Sequence, residues 1–263
     1  MKKIIAIFAL VCVAAAAGCS NGNSATETSA TTAASNESDG NSLKQTIDMS
    51  EEDLMAESTD KALDYLDENA PLFGKYIRQR RNIPLSFETE VTMDGLLWKT
   101  KLFIKDEYTL AQVSESPDGK ITKVVYKDGL GYQIDYTNKS VYVQNDLSKA
   151  EIKLMIDSQR MMNLSYDEIS ASEYVTDTAE YDGVEYDRVT VTEPSSGVSA
   201  SHYYDKSTGK VAFMMSDTYV SKIVTFENAI TDESVFDIPA DFENKTFDDL
   251  VDEYNAENPE AAE

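Results

Sequence analysis

The chain has 263 residues, with 48 acidic against 23 basic side chains and a formal charge of −25 at pH 7. A surface this acidic repels nucleic acid and anionic lipid headgroups, which removes nucleic acid from the expected partners.

Met1, Lys2 and Lys3 precede an apolar run from Ile4 to Ala17 that no charge interrupts, the pattern of a secretory signal peptide. The run is shorter than the roughly 20 residues a membrane-spanning helix needs. Ala16, Ala17, Gly18 and Cys19 resemble the lipobox of bacterial lipoproteins, with Ala16 where that family most often has leucine. The resemblance implies that residues 1–18 are a signal peptide, that cleavage falls before Cys19, and that the Cys19 sulfur receives a diacylglyceryl group. An ordinary signal-peptidase site is the competing reading of the same residues. Cleavage before Cys19 discards Cys12, so neither a disulfide between the two nor a metal clip survives it. Each buried methylene of an acyl chain contributes about 0.8 kcal/mol, so acylated Cys19 is expected to anchor the protein on the extracytoplasmic face of the cell membrane. Loss of Lys2 and Lys3 leaves 21 basic against 48 acidic side chains, a formal charge of −27.

Residues 19–48 read as the lipidated cysteine and a tether. Between Ser20 and Ser42 there is no large apolar residue to offset the entropy of ordering, so the segment is expected to be disordered, reaching roughly 25 to 30 Å. The folded domain is predicted over 49–242. In "SEEDLMAESTDKALDYLDEN", Leu54, Met55, Ala62, Leu63 and Leu66 share a helical face, and acids fill the first turn where they complement the helix dipole. Asn69 and Pro71 open a second short helix that ends before Asn82.

After Pro84 the apolar period becomes two. "LSFETEVTM" and "LLWKTKLFI" flank Asp94-Gly95, a two-residue hairpin signal. "YTLAQVSES", "ITKVVY", "YQIDY" and "VYVQ" follow, separated by turn residues, giving about six strands of antiparallel meander. Ser148 and Glu151 then match a capping box, and Leu147, Ile152, Met155, Ile156 and Met162 form the apolar face of a mid-chain helix. A second meander runs through "YDGVEYDRVTVTE", "VSASHYYD", "KVAFMMSD" and "YVSKIVTFENAI". Residues 243–263 read as an acidic C-terminal tail with a short helix and a frayed end.

The predicted fold is α+β: a long antiparallel meander curved into an incomplete barrel, with the N-terminal helices and the mid-chain helix packed in its concave face. "YDGVEYDRVTV", "YYDKSTGKVAFM" and "FENAITDESVFDIPADF" resemble the closing strands of the LolA-like superfamily, which includes the LolA and LolB lipoprotein carriers and the LppX and LprG lipid-binding lipoproteins. The resemblance spans residues 50–242. It implies a concave apolar cavity for acyl chains and carries no catalytic or ligand-binding motif onto this chain.

No G-x-S-x-G, P-loop or H-E-x-x-H motif occurs, and His202 is the only histidine, so a histidine triad or multi-histidine metal site is not expected. Asp177, Asp182, Glu185 and Asp187 cluster along one hairpin in a spacing that fits no EF-hand, and read as a solvated turn rather than a calcium site. No cofactor, metal or enzymatic activity is expected. The hydrophobic-cavity candidates are Trp98, Met155, Met162, Phe213 and Met215, because flexible methionine suits variable acyl chains. Strand alternation puts Phe213 and Met215 on one face and Met214 on the other, so only one set can line a lumen. Tyr181, Tyr186, Tyr203 and Tyr204 suit half-exposed sheet faces, where stacking on glycans is a further option. The expectation is a monomeric, membrane-anchored lipoprotein that binds or carries a lipid or acylated partner. The alternative is an envelope interaction or sensor module with the same fold and no ligand.

Overall fold

A computed structural model describes residues 51–257; the expected signal peptide, Cys19 and tether lie outside the described residues. Two helices come first, α1 (Glu51–Asn69) and α2 (Pro71–Arg81), the second opened by a proline whose missing N–H would be unpaired there anyway. The first meander is β1 (Leu85–Met93), β2 (Leu96–Asp106), β3 (Thr109–Glu115), β4 (Ile121–Lys127), β5 (Leu130–Asp135) and β6 (Ser140–Gln144). Helices α3 (Lys149–Gln159) and α4 (Tyr166–Ala171) separate it from the second meander. That comprises β7 (Glu173–Tyr181), β8 (Val184–Thr192), β9 (Ser199–Asp205), β10 (Val211–Met215) and β11 (Tyr219–Glu227). A 3-10 turn (Glu233–Phe236), β12 (Glu243–Thr246) and α5 (Phe247–Glu257) complete the described chain.

All strands join one curved, open 12-stranded sheet in the order β12-β6-β5-β4-β3-β2-β1-β11-β10-β9-β8-β7. The expected α+β incomplete barrel is therefore the fold, and its two meanders meet where β1 pairs antiparallel with β11. Asp94-Gly95 and Asp182-Gly183 turn their hairpins with both residues at positive φ, as a turn matched to right-handed strand twist requires.

Three elements differ from the sequence expectation. β7 begins at Glu173 rather than at Tyr181, and its mostly exposed faces erase the apolar alternation that marks a half-buried strand. α4 is under two turns, capped by the Ser165 side chain, too short for a helical period to show. Residues 243–257 do more than trail: polar β12 pairs parallel with β6, and α5 packs beside it. Tyr142 Oη donates to Glu253 at 2.5 Å and Lys245 bonds the same carboxylate at 2.9 Å, tying α5 to the sheet.

One sheet face, the inner, receives the helices. Leu66, Phe73, Tyr76 and Ile77 from α1 and α2, with Ile152 and Ile156 from α3, pack on Leu85, Phe87, Leu102, Ile104, Leu110, Val124, Val189, Tyr204 and Phe226. The mid-chain helix thus packs where the capping box and apolar face predicted, and Ser148 with Glu151 forms the box. On the outer face, Ala111, Val125, Ile134 and Val141 are covered by Phe236 and its neighbours Ile230, Val235, Ile238 and Phe242. β3 and β4 are consequently covered on both sides.

α2 and α3 are joined end to end by arginines. Arg80 Nη2 donates to the Gln159 carbonyl at 2.5 Å, and Arg81 Nη1 donates to those of Met161 and Met162 at 2.9 and 2.8 Å. Arg160 in return donates to the Arg81 carbonyl. Helix C-termini leave carbonyls unpaired and carry partial negative charge, so each guanidinium answers the other helix's end.

Candidate functional site

The inner face is the place where an acyl ligand was expected, and it is filled. Phe73 lies with its ring centroid 4.8 Å from His202, 6.2 Å from Tyr76 and 6.3 Å from Tyr174, so α2 presses an aromatic row onto β7 and β9. Tyr76 continues the row to Phe226, 5.5 Å away. Two grooves lie instead along the exposed side of α1. One of about 510 Å³ is lined by Lys61, Asp64, Tyr65, Glu68 and Tyr166, and one of about 220 Å³ by Leu54, Glu57, Ser58, Lys61, Tyr166 and Asp167. Both are charged and shallow, unlike the enclosed apolar space that acyl chains occupy.

The five cavity candidates are not brought together. Trp98 shares the inner face with Leu102 and Ile104 by strand alternation, but sits near the β1–β2 turn with 38% of its surface exposed, beside exposed Met93, Leu96 and Leu97. Met155 packs against the inner core from α3. Met162 is half-buried after α3, its carbonyl accepting from Arg81 and Thr59. Met214 is the β10 methionine that faces the helices, accepting a hydrogen bond from Tyr76 Oη at its sulfur. Phe213 and Met215 therefore point outward. There Phe213 stacks on Tyr203 at 4.2 Å and meets Tyr181 and Tyr186 at 4.6 and 5.1 Å. Arg188 lies 6.0 Å from the Tyr203 ring, and its ion pair with Asp177 holds that carboxyl below the usual range.

The acids of the β7–β8 hairpin do not converge on one point. Asp177 faces outward with Arg188, whereas Glu185 and Asp187 face inward and share Lys206. Among the described residues no group of three metal-ligating side chains is assembled. His202 is a buried side chain in the aromatic row. Burial pushes its pKa down to about 4, with a backbone hydrogen bond to Val189 working against the shift.

The sequence carried no sign of four polar atoms at the helix–sheet contact: Arg80 Nε, His202 Nδ1, Tyr204 Oη and Ser221 Oγ are buried without a hydrogen-bond partner. A strand's alternation says which side chains turn inward, but not which of them will lack a partner once covered. Burial also raises the Tyr204 hydroxyl well above its ordinary pKa.

No family model matches the sequence, and no curated protein matches it significantly. Solved structures with a similar chain path include an uncharacterized conserved protein of Thermus thermophilus, with TM-score 0.39 and 8% identity over 72% of this chain and 99% of that one. Another is MucB, with TM-score 0.40 and 10% identity over 67% of this chain and 64% of that one. A third is a putative outer membrane lipoprotein-sorting protein domain of Vibrio parahaemolyticus, with TM-score 0.25 and 8% identity over 64% of this chain and 96% of that one. This chain spans less than two thirds of the MucB chain, and likenesses this distant say nothing about what it binds.

Proposed function

We propose that the protein is a non-catalytic binding module, held on the extracytoplasmic face of a membrane by acylated Cys19, that engages another envelope protein through its surface. The filled inner face supports this reading most: Phe73, Tyr76, Ile77, Ile152 and Ile156 occupy the space an acyl chain would need. The test uses the full-length protein extracted from its own membrane in detergent. Lipid analysis is expected to find the covalent anchor and no second lipid in stoichiometric amount, and proximity labelling from the domain is expected to enrich one envelope protein reproducibly. One non-covalent lipid per chain, or only abundant bystanders in the labelling, overturns the reading.

A second reading, in which α1 and α2 lift to admit an acyl chain, draws on the four unpartnered polar atoms, since a helix–sheet contact that leaves them unmet is weakened. It predicts the opposite result in the lipid analysis.

A further inference from the structure

The sheet has two edges of different character. β12 has four residues, and α5 follows it directly and packs on both β12 and β6. β7 at the other end has nine residues, pairs with β8 along its whole length without a register shift, and among the described residues has no strand on its far side. Such an edge presents alternate N–H and C=O groups outward as a template for another strand. Folded proteins commonly blunt long edges with proline, charged side chains, a bulge or a covering segment. β7, reading Glu-Tyr-Val-Thr-Asp-Thr-Ala-Glu-Tyr, has no proline, glycine or lysine, and its Tyr, Val and Thr favour extended backbone. Val175 is 47% exposed.

Acid is what the edge does carry. Asp177 is matched by Arg188, but Glu173 and Glu180 form no ion pair among the described residues. Like charges opposite one another destabilise strand pairing, so the acids disfavour a second copy of β7 and favour a strand bearing cations. Glu173 shares the outer face with Val175, Asp177 and Tyr181, whereas Glu180 shares the inner face with Thr176 and Thr178. A matching strand therefore needs a basic residue near each end, one on each face.

We propose that the free edge of β7 is a strand-addition site for an extended, basic segment of a partner protein, which binds by main-chain hydrogen bonds along residues 173–181 and sets Lys or Arg against Glu173 and Glu180. This rests on the reading of the protein as a protein-binding module, and names the surface and the partner's chemistry.

The test is hydrogen exchange on the full-length protein in detergent, with the peptide Lys-Lys-Val-Thr-Val-Thr-Val-Lys-Lys as probe, which sets a lysine against Glu173 and another against Glu180 in either strand orientation. The N–H groups of residues 173–181 that point away from β8 are expected to exchange about tenfold more slowly with the probe present, and those of β12 at an unchanged rate. Methylating alternate backbone nitrogens of the probe should abolish the effect. The double variant Glu173→Gln and Glu180→Gln should weaken binding about fivefold, as two exposed ion pairs allow. The proposal is overturned by unchanged exchange in β7, or by equal protection from Lys-Lys-Gly-Ser-Gly-Ser-Gly-Lys-Lys, which has the same charge but little strand propensity. Protection that grows with protein concentration and no probe also overturns it, because a second copy then occupies the edge. Unchanged exchange alongside a reproducibly labelled partner removes this surface alone, whereas a stoichiometric lipid removes the functional reading whatever the probe does.

Discussion

Replacing Phe73 with alanine measures how firmly α2 is packed onto the sheet. The ring is buried among Tyr76, Tyr174 and His202, with centroids 4.8 to 6.3 Å away. Buried Phe→Ala changes cost about 3–5 kcal/mol, combining lost transfer energy with the cavity left behind. Phe73 lies in the first turn of α2, where the chain has some freedom to settle into the gap, so the lower end, about 3 kcal/mol, is expected. At about 1.4 kcal/mol per factor of ten, the ratio of folded to unfolded protein falls on the order of 100-fold. In urea, with a slope of about 2–3 kcal/mol per M, the midpoint falls by roughly 1 to 1.5 M. Far-UV circular dichroism follows the transition, and fluorescence of Trp98, the one tryptophan, gives a second probe. Lys75→Ala on the exposed side of the same helix should stay within about 0.5 kcal/mol. A Phe73→Ala loss below about 1 kcal/mol would refute the view that α2 is part of the cooperative core, and with it the argument from a filled inner face.

Three further outcomes are expected. His202 has a depressed pKa in the folded state, so below about pH 6.5 the unfolded chain takes up a proton that the folded one refuses until about pH 4. Stability should thus fall with acidity across that window by as much as about 3 kcal/mol, and the difference curve between wild type and His202→Leu isolates it from the carboxylates. Thr59 Oγ1 accepts from the Leu164 N–H at 3.1 Å in a buried setting, so Thr59→Val should cost about 1–3 kcal/mol in the same urea assay by orphaning that donor. Cys19→Ser should abolish incorporation of labelled palmitate and move the protein from the membrane fraction to the soluble one; retention in the membrane would refute the lipid anchor.

Local signals carried most of the fold. Hairpins announced by Asp-Gly, and strands such as β1 with Leu85, Phe87 and Val91 on one face, were legible because turn chemistry and burial act within a few residues. The closure of the two meanders was not legible, since Ser86 meets Glu227 across most of the domain and no local pattern encodes that pairing. Edge strands were the poorest: β7 and β12 have mostly exposed side chains and hence no apolar rhythm. At the candidate site, alternation separated Met214 from Phe213 and Met215 but did not say which set the helices would cover. The choice is made by α2, through Tyr76 reaching Met214.

The seam between β1 and β11 also bears on how the chain can fold as it is made. β1 is the first strand of the domain, and β2 can satisfy one of its edges early, through a local hairpin. Its second edge stays open until residues 219–227 exist, so every nascent chain that ends short of β11 presents Leu85–Met93 unpaired on one side. Non-local pairing of this kind is slow, because a long loop must close before any contact compensates for it. Chains truncated within the second meander should accordingly aggregate rather than fold as smaller domains, whereas loss of residues beyond the described α5 leaves the seam intact.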